Sequence, residues 1–182
     1  MRADALRNAD AVLQTAAELL AREPNTSIGA IAAAAGVDRS TVYRRFSNRE
    51  TLLVAIHAAK MDAMDEVFAN ARLEQAAPLV ALHRWVEGTV AVSRRWPVDA
   101  QALREDPAAT ARGDQMVARL DAFVARAQAA GVVDPDAPAA WVRTLLTRAT
   151  AAAAHELPAL EPGPAADLVV SSLLDGVGLR RT

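Results

Sequence analysis

A chain of 182 residues, 52% of them hydrophobic, is long enough to bury a substantial core in one or two small domains. It has no cysteine, which excludes disulfides, thiolate metal sites and a cysteine nucleophile. The net charge of −2 argues against a nucleic-acid condenser, yet residues 1–50 hold seven arginines against six carboxylates while the remainder is acidic, so basic charge is local. Alanine dominates, strand-forming aromatics are few, and Gly and Pro sit between long periodic segments, which argues for an all-α fold of about nine helices. No charged-then-apolar leader and no apolar run of about 18 residues occurs, which points to a soluble, cytoplasmic protein with no membrane partner.

The first helix is expected from Ala5 to Arg22, with Leu6, Ala9, Leu13, Ala16 and Leu20 on one side. Ser27 then stands as N-cap of a short helix whose apolar face is Ile28, Ile31, Ala32 and Ala35. Gly36 permits the left-handed backbone that stops a helix abruptly. Asp38 caps a second short helix from Arg39 to about Phe46. Two short helices joined by a glycine turn spell helix-turn-helix, and small Ala32 lets them cross closely.

At 100° per residue, Val42 and Phe46 share one side of the second short helix, while Ser40, Thr41 and Arg44 face away. Tyr43 and Arg45 occupy the edges, and Arg39 lies near the core side with a chain long enough to reach outward. Between Arg39 and Arg49 there are four arginines and no acid. Guanidinium forks suit guanine edges in a major groove, and hydroxyls and phenol suit phosphates. Arg39, Ser40 and Arg44 are therefore expected to read or approach bases. Ser27, Thr41, Tyr43 and Arg49 are expected to hold phosphates, with Arg45 suited to either task.

The segment GVDRSTVYRRFSNRETLL resembles the N-terminal signature of the TetR (tetracycline-repressor-like) family of bacterial transcriptional regulators. The matching features are Ile31-Ala32, Gly36-Val37, Thr41, Tyr43 with Phe46, and Glu50 followed by Leu52-Leu53. The resemblance covers about the first 55 residues. Pro24 departs from it where the family often has glycine, and Gly29 where many members carry a polar or basic side chain. The resemblance implies a helix-turn-helix DNA-binding domain, residues 1–50, and a ligand-binding and dimerisation domain, residues 51–182, with a helix from about Arg49 shared. It also implies that the last two long helices pair with their copies as a four-helix bundle.

The shared helix, capped by Asn48, is expected to reach about Ala71. It carries two apolar stripes: Leu52, Ile56, Ala63 and Val67, and Leu53, His57, Met61, Met64 and Phe68. Pro78 opens a helix from about Leu79 to Trp96, with Leu82, Val86 and Val90 inward and Trp85, Thr89 and Trp96 along one edge. A short element is expected around Val98 to Glu105, followed by a helix from about Ala108 to Ala130 with Met116, Leu120, Phe123, Val124 and Ala127 inward. His57, Met61, Met64, Phe68, Trp85, Thr89, Trp96, Met116 and Phe123 are the candidate wall of a pocket for an apolar or aromatic effector. The same pattern also fits ordinary core.

Asp134 to Pro138 forms a turn before a helix from about Ala139 to Glu156, and Pro158 to Pro164 a loop before a last helix from about Ala165 to Leu179. Trp141, Leu145, Ala149 and Ala152 on one helix, with Val169, Ser172, Leu173 and Gly176 on the other, are the candidate dimer interface.

Enzyme chemistry finds little support. His57, His83 and His155 lack a carboxylate three residues before them, and no phosphate loop, serine elbow or His-x-x-x-His pair occurs. No metal or cofactor is expected. The expected function is a homodimeric repressor on a palindromic double-stranded operator, released by a small-molecule effector. The rivals are a helical small-molecule enzyme and the DNA-binding part of a recombinase or transposase.

Overall fold

A computed structural model describes residues 2–97 and 107–177 of the chain. Those residues form eight helices: α1 (Arg2–Arg22), α2 (Ile28–Ala34), α3 (Arg39–Arg45), α4 (Arg49–Ala71), α5 (Pro78–Arg95), α6 (Pro107–Ala129), α7 (Ala139–His155) and α8 (Pro162–Val177). The short element expected around Val98 to Glu105, and the last helix beyond residue 177, lie outside the described residues. Among the described residues no helix is long and apolar enough to cross a membrane.

The chain divides into two compact units, Met1–Asp62 with Arg95–Thr110, and Ala63–Arg94 with Ala111–Thr182. The division falls inside α4, the helix expected to be shared.

In the first unit, α2 packs on α1 and α3. Its core takes Val12, Leu13, Ala16, Ala17 and Leu20 from α1 and Ile31 and Ala32 from α2. Val42 and Phe46 at α3, and Leu52 and Ile56 of α4, are buried in the same unit. Burial of a leucine, isoleucine or phenylalanine side chain contributes about 1.5–3 kcal/mol each, which is what holds two seven-residue helices that could not stand alone.

The turn between α2 and α3 has a specific geometry. Gly36 adopts φ 67°. Its N–H donates to the Ala33 carbonyl at 3.2 Å, and the Val37 N–H to the Ala32 carbonyl at 3.0 Å. These two bonds satisfy carbonyls that the end of α2 would otherwise leave open. A residue with a Cβ would be strained at that φ.

The second unit buries Met64, Val67 and Phe68 of α4 and Leu82, Trp85, Val86 and Val90 of α5. Leu120, Phe123 and Val124 of α6 are buried there too. A Cβ on Gly88 of α5 would meet the two methyls of Val67 at 2.9 and 3.0 Å, so α4 and α5 approach closely only because that side chain is missing. Helix α7 packs on α8. Arg94 closes the end of α7 by donating to the carbonyls of Ala153, Ala154, Leu157 and Leu160.

The core side of α7 is Val142, Leu146, Thr150, Ala153 and Ala154, a different stripe from the one through Trp141 offered as a candidate interface. The apolar arc of this helix, from Trp141 through Leu145 and Val142 to Leu146, is wide enough that periodicity alone does not choose which part is covered. One expectation about α8 changes. Helix α8 begins at Pro162, inside the expected loop. Prolines in the first turn remove only N–H groups that have no intrahelical acceptor there.

Candidate nucleic-acid interface

Ser27, Arg39, Ser40, Thr41, Tyr43, Arg44, Arg45 and Arg49 are all exposed, and all belong to the first unit. Each is placed by a neighbour that the local sequence supplies. The Ala30 N–H donates to Ser27 Oγ at 3.1 Å, the N-cap bond of α2. This leaves the Ser27 hydroxyl hydrogen able to donate outward. At α3, the Ser40 N–H donates to Asp38 Oδ1 at 2.7 Å. Hydrogen bonding from the Ser40 hydroxyl first, and its backbone N–H second, holds the Asp38 carboxyl below its ordinary value. The Ser40 oxygen keeps lone pairs with which to accept from a base amino group.

Burial of Val42 and Phe46 fixes the rotation of α3, so Ser40, Thr41 and Arg44 turn to solvent. Tyr43 is 39% exposed at the edge of that face. Its ring lies 5.0 Å from the Arg39 guanidinium carbon, and Arg39 Nη2 donates to Tyr43 Oη at 3.3 Å. Arg39 is thus exposed and tied along α3 instead of lying on the core side. The Arg45 guanidinium sits 5.8 Å from the Phe46 ring centroid.

Asn48 caps α4 as the sequence suggests: its Oδ1 accepts from the Thr51 N–H at 2.8 Å, and its own N–H donates back to Thr51 Oγ1 at 3.3 Å. Arg49, at the first position of α4, reaches the Thr26 carbonyl with Nη1 at 3.5 Å, a long contact that leaves most of its fork unused. The result is one exposed basic surface built from the ends of α2, α3 and α4. Positive side chains beside helix N-termini suit phosphate oxygens.

The candidate pocket residues are distributed over both units. His57 and Trp96 are buried and Met61 half-buried in the first unit. In the second, Met64, Phe68, Trp85 and Phe123 are buried and Thr89 and Met116 half-buried. Phe68 and Trp85 pair edge to face at 6.1 Å. Trp85 Nε1 and Thr89 Oγ1, one helical turn apart on α5, are buried with no hydrogen-bond partner among the described residues. An open groove of about 410 Å³ in the second unit is lined by Leu73, Glu74, Ala118, Arg119, Ala122, Phe123 and Arg126. Only Phe123 of the expected wall lines it, and the two arginines carry no signal in the sequence that separates them from ordinary surface residues.

Of the candidate interface residues, Trp141 is 54% exposed, and Leu145, Ala149 and Ala152 are half-buried on the same side of α7. On α8, Ser172 and Gly176 are exposed while Val169 and Leu173 are buried within the chain. Leu168 of α8 is 45% exposed.

Residues 12–56 match the family described as bacterial regulatory proteins, tetR family. The chain is 41% identical over 86 residues to the HTH-type transcriptional repressor LfrR of Mycolicibacterium smegmatis. That stretch is 44% of this chain and 43% of LfrR, so the sequence match spans less than half of either. The fold is similar throughout to LfrR from Mycobacterium smegmatis solved in complex with proflavine, with a TM-score of 0.76 and 26% identity over 96% of this chain and 98% of that one. It is also similar to the ketosteroid transcriptional regulator KstR2 of Mycobacterium tuberculosis, with a TM-score of 0.77 and 18% identity over 96% of both chains.

Proposed function

The chain belongs to the TetR family of bacterial regulatory proteins, and from that membership we propose that it is a homodimeric, effector-responsive transcriptional repressor working in the cytoplasm. Each subunit lays α3 in the major groove of double-stranded DNA. The two-fold axis then imposes a palindromic operator, with half-sites about 34–36 Å apart in the simplest helix-turn-helix arrangement. Ser40 and Arg44 face the bases, Ser27, Thr41, Tyr43 and Arg49 hold phosphates, and Arg45 stands between the two tasks. The observation that carries this reading is the rotation of α3. Val42 and Phe46 are buried, and the opposite side offers hydroxyls and arginine with no acid from Arg39 to Arg49.

A small molecule bound beside Phe68, Trp85, Thr89 and Phe123 in the second unit favours a subunit arrangement with mis-spaced reading helices. DNA is released because the effector and the operator prefer different states. The partnerless Trp85 Nε1 and Thr89 Oγ1 support an effector that brings a hydrogen-bond acceptor into an aromatic setting, since leaving such groups unpaired costs about 1–3 kcal/mol each. The LfrR complex with proflavine lends support to small-molecule binding.

Selection of duplexes from a random pool by the purified protein, followed by footprinting, tests the DNA reading. A palindromic consensus protected on both half-sites is expected. Recovery of no consensus, or of an asymmetric one, overturns it.

A further inference from the structure

Residue types alone put Arg39 among the base readers, but its surroundings do not leave it a free fork. Arg39 Nη2 donates to Tyr43 Oη at 3.3 Å, and its guanidinium carbon lies 5.0 Å from the Tyr43 ring centroid. Beneath it is Gly29 of α2, where a Cβ would lie 3.7 Å from Arg39 Nε and 3.8 Å from Cδ and Cζ. The arginine therefore lies across a floor that a missing side chain opens, and is held there from one turn along α3. Resting on the DNA reading above, we propose that Arg39, Tyr43 and Gly29 form a single phosphate clamp, in which Arg39 both holds Tyr43 in place and meets the same phosphate, and contributes no base discrimination.

The hydrogen-bond directions support this. Tyr43 Oη accepts from Arg39, so the phenolic hydrogen is left to donate to a phosphate oxygen, and accepting a charge-assisted bond strengthens that donation. Arg39 has further N–H groups to offer the same phosphate. A Cβ at position 29 would already touch Arg39 at ordinary van der Waals distance, so any longer side chain there competes for the volume of the guanidinium.

The test is equilibrium binding of the full-length protein to its selected operator and to a scrambled duplex across a salt series. Arg39→Ala and Tyr43→Phe are expected to weaken both duplexes by the same factor, with a double-variant coupling of about two- to fivefold. Arg39→Ala should lower the salt slope by about one unit. Gly29→Leu should reproduce Arg39→Ala on both duplexes and cost nothing more when the two are combined. Loss of operator preference in Arg39→Ala, additive effects of Arg39 and Tyr43, or a further loss in the Gly29→Leu, Arg39→Ala double variant each overturns the clamp. A wild-type protein that prefers neither duplex overturns the DNA reading and the clamp together. A wild type that keeps its preference, and loses it in Arg44→Ala, isolates any failure to the clamp alone.

Discussion

Arg44 and Arg49 carry the same charge, and the proposed DNA reading gives that charge different work at the two positions. Arg44 is on the side of α3 directly opposite the buried Val42 and Phe46, where a bidentate contact to guanine is geometrically open. Arg44→Ala should weaken operator binding by about 1–3 kcal/mol while leaving random DNA nearly unchanged. Parallel titrations of the two duplexes check this, and an equal loss on both would make Arg44 a phosphate contact. Arg49 starts α4, away from that face, and already leans on the Thr26 carbonyl. Arg49→Ala should weaken every duplex and flatten the dependence on log salt by about one unit, read from the same titrations. Asp38 is a structural counterpart to both. Its carboxyl is held below its ordinary value in the folded chain, so the stability it contributes is complete above about pH 4 and is lost as acid carries the pH down through the depressed folded value. Asp38→Asn keeps an acceptor for the Ser40 N–H but cannot titrate. Denaturant midpoints measured from pH 6 to pH 3 should fall less steeply in Asp38→Asn than in the wild type, and parallel curves would remove Asp38 from the acid response.

Among the described glycines, Gly88 is the one where an added Cβ would meet a neighbour most closely, between α4 and α5. A methyl added there would lie within 3.0 Å of both Val67 methyls. Alanine gains about 1 kcal/mol of intrinsic helix preference over glycine, against an overpacking cost of about 1–3 kcal/mol in a closed core. Gly88→Ala should therefore lower the unfolding midpoint, and Val67→Ala in the same chain should recover part of that loss, because the second substitution removes the clashing methyls. A double variant less stable than the sum of the two single changes would show that the contact is not the cause. Sequence pattern located α1, α4 and α5 to within a few residues, because each has a wide apolar face, a cap or a proline at its ends, and a polar opposite side. It told the exposed face of α3 from the buried one for the same reason: one buried valine and one buried phenylalanine settle the rotation of a seven-residue helix. Helix α7 was harder to orient. Val142, Leu146 and Ala153 adjoin Trp141, Leu145 and Ala152 on one wide apolar arc, and only tertiary packing decides which set is covered. The tie from Arg39 to Tyr43 was also invisible, since Arg39 lies over Gly29 of a different helix, where no side chain competes for its place.

The proposed repressor, reading a palindrome, needs two copies, and the exposed apolar side chains of α7 and α8 are the surface we propose for the second copy. Trp141 is 54% exposed and Leu168 45% exposed, while Ser172 and Gly176, also exposed on α8, are small enough to let helices approach closely. Such large apolar side chains facing water on adjacent packed helices are the ordinary signature of an interface, and a tryptophan is the side chain most often responsible for the affinity of one. In a two-fold interface each substitution is made twice, so a single charge at position 141 places two carboxylates near the axis, both removed from water when the subunits meet. Trp141→Glu should consequently shift the protein from dimer to monomer in light scattering at micromolar concentration without unfolding it, since the side chain contributes little to the core of its own subunit. Operator affinity should fall with it, because a lone subunit binds a single half-site and loses the effective concentration that tethering gives the second. Binding to random DNA should fall far less. A Trp141→Glu protein that remains dimeric and keeps its operator affinity would place the subunit contact on some other face, and the spacing of the two α3 helices would then have to be set by that face instead.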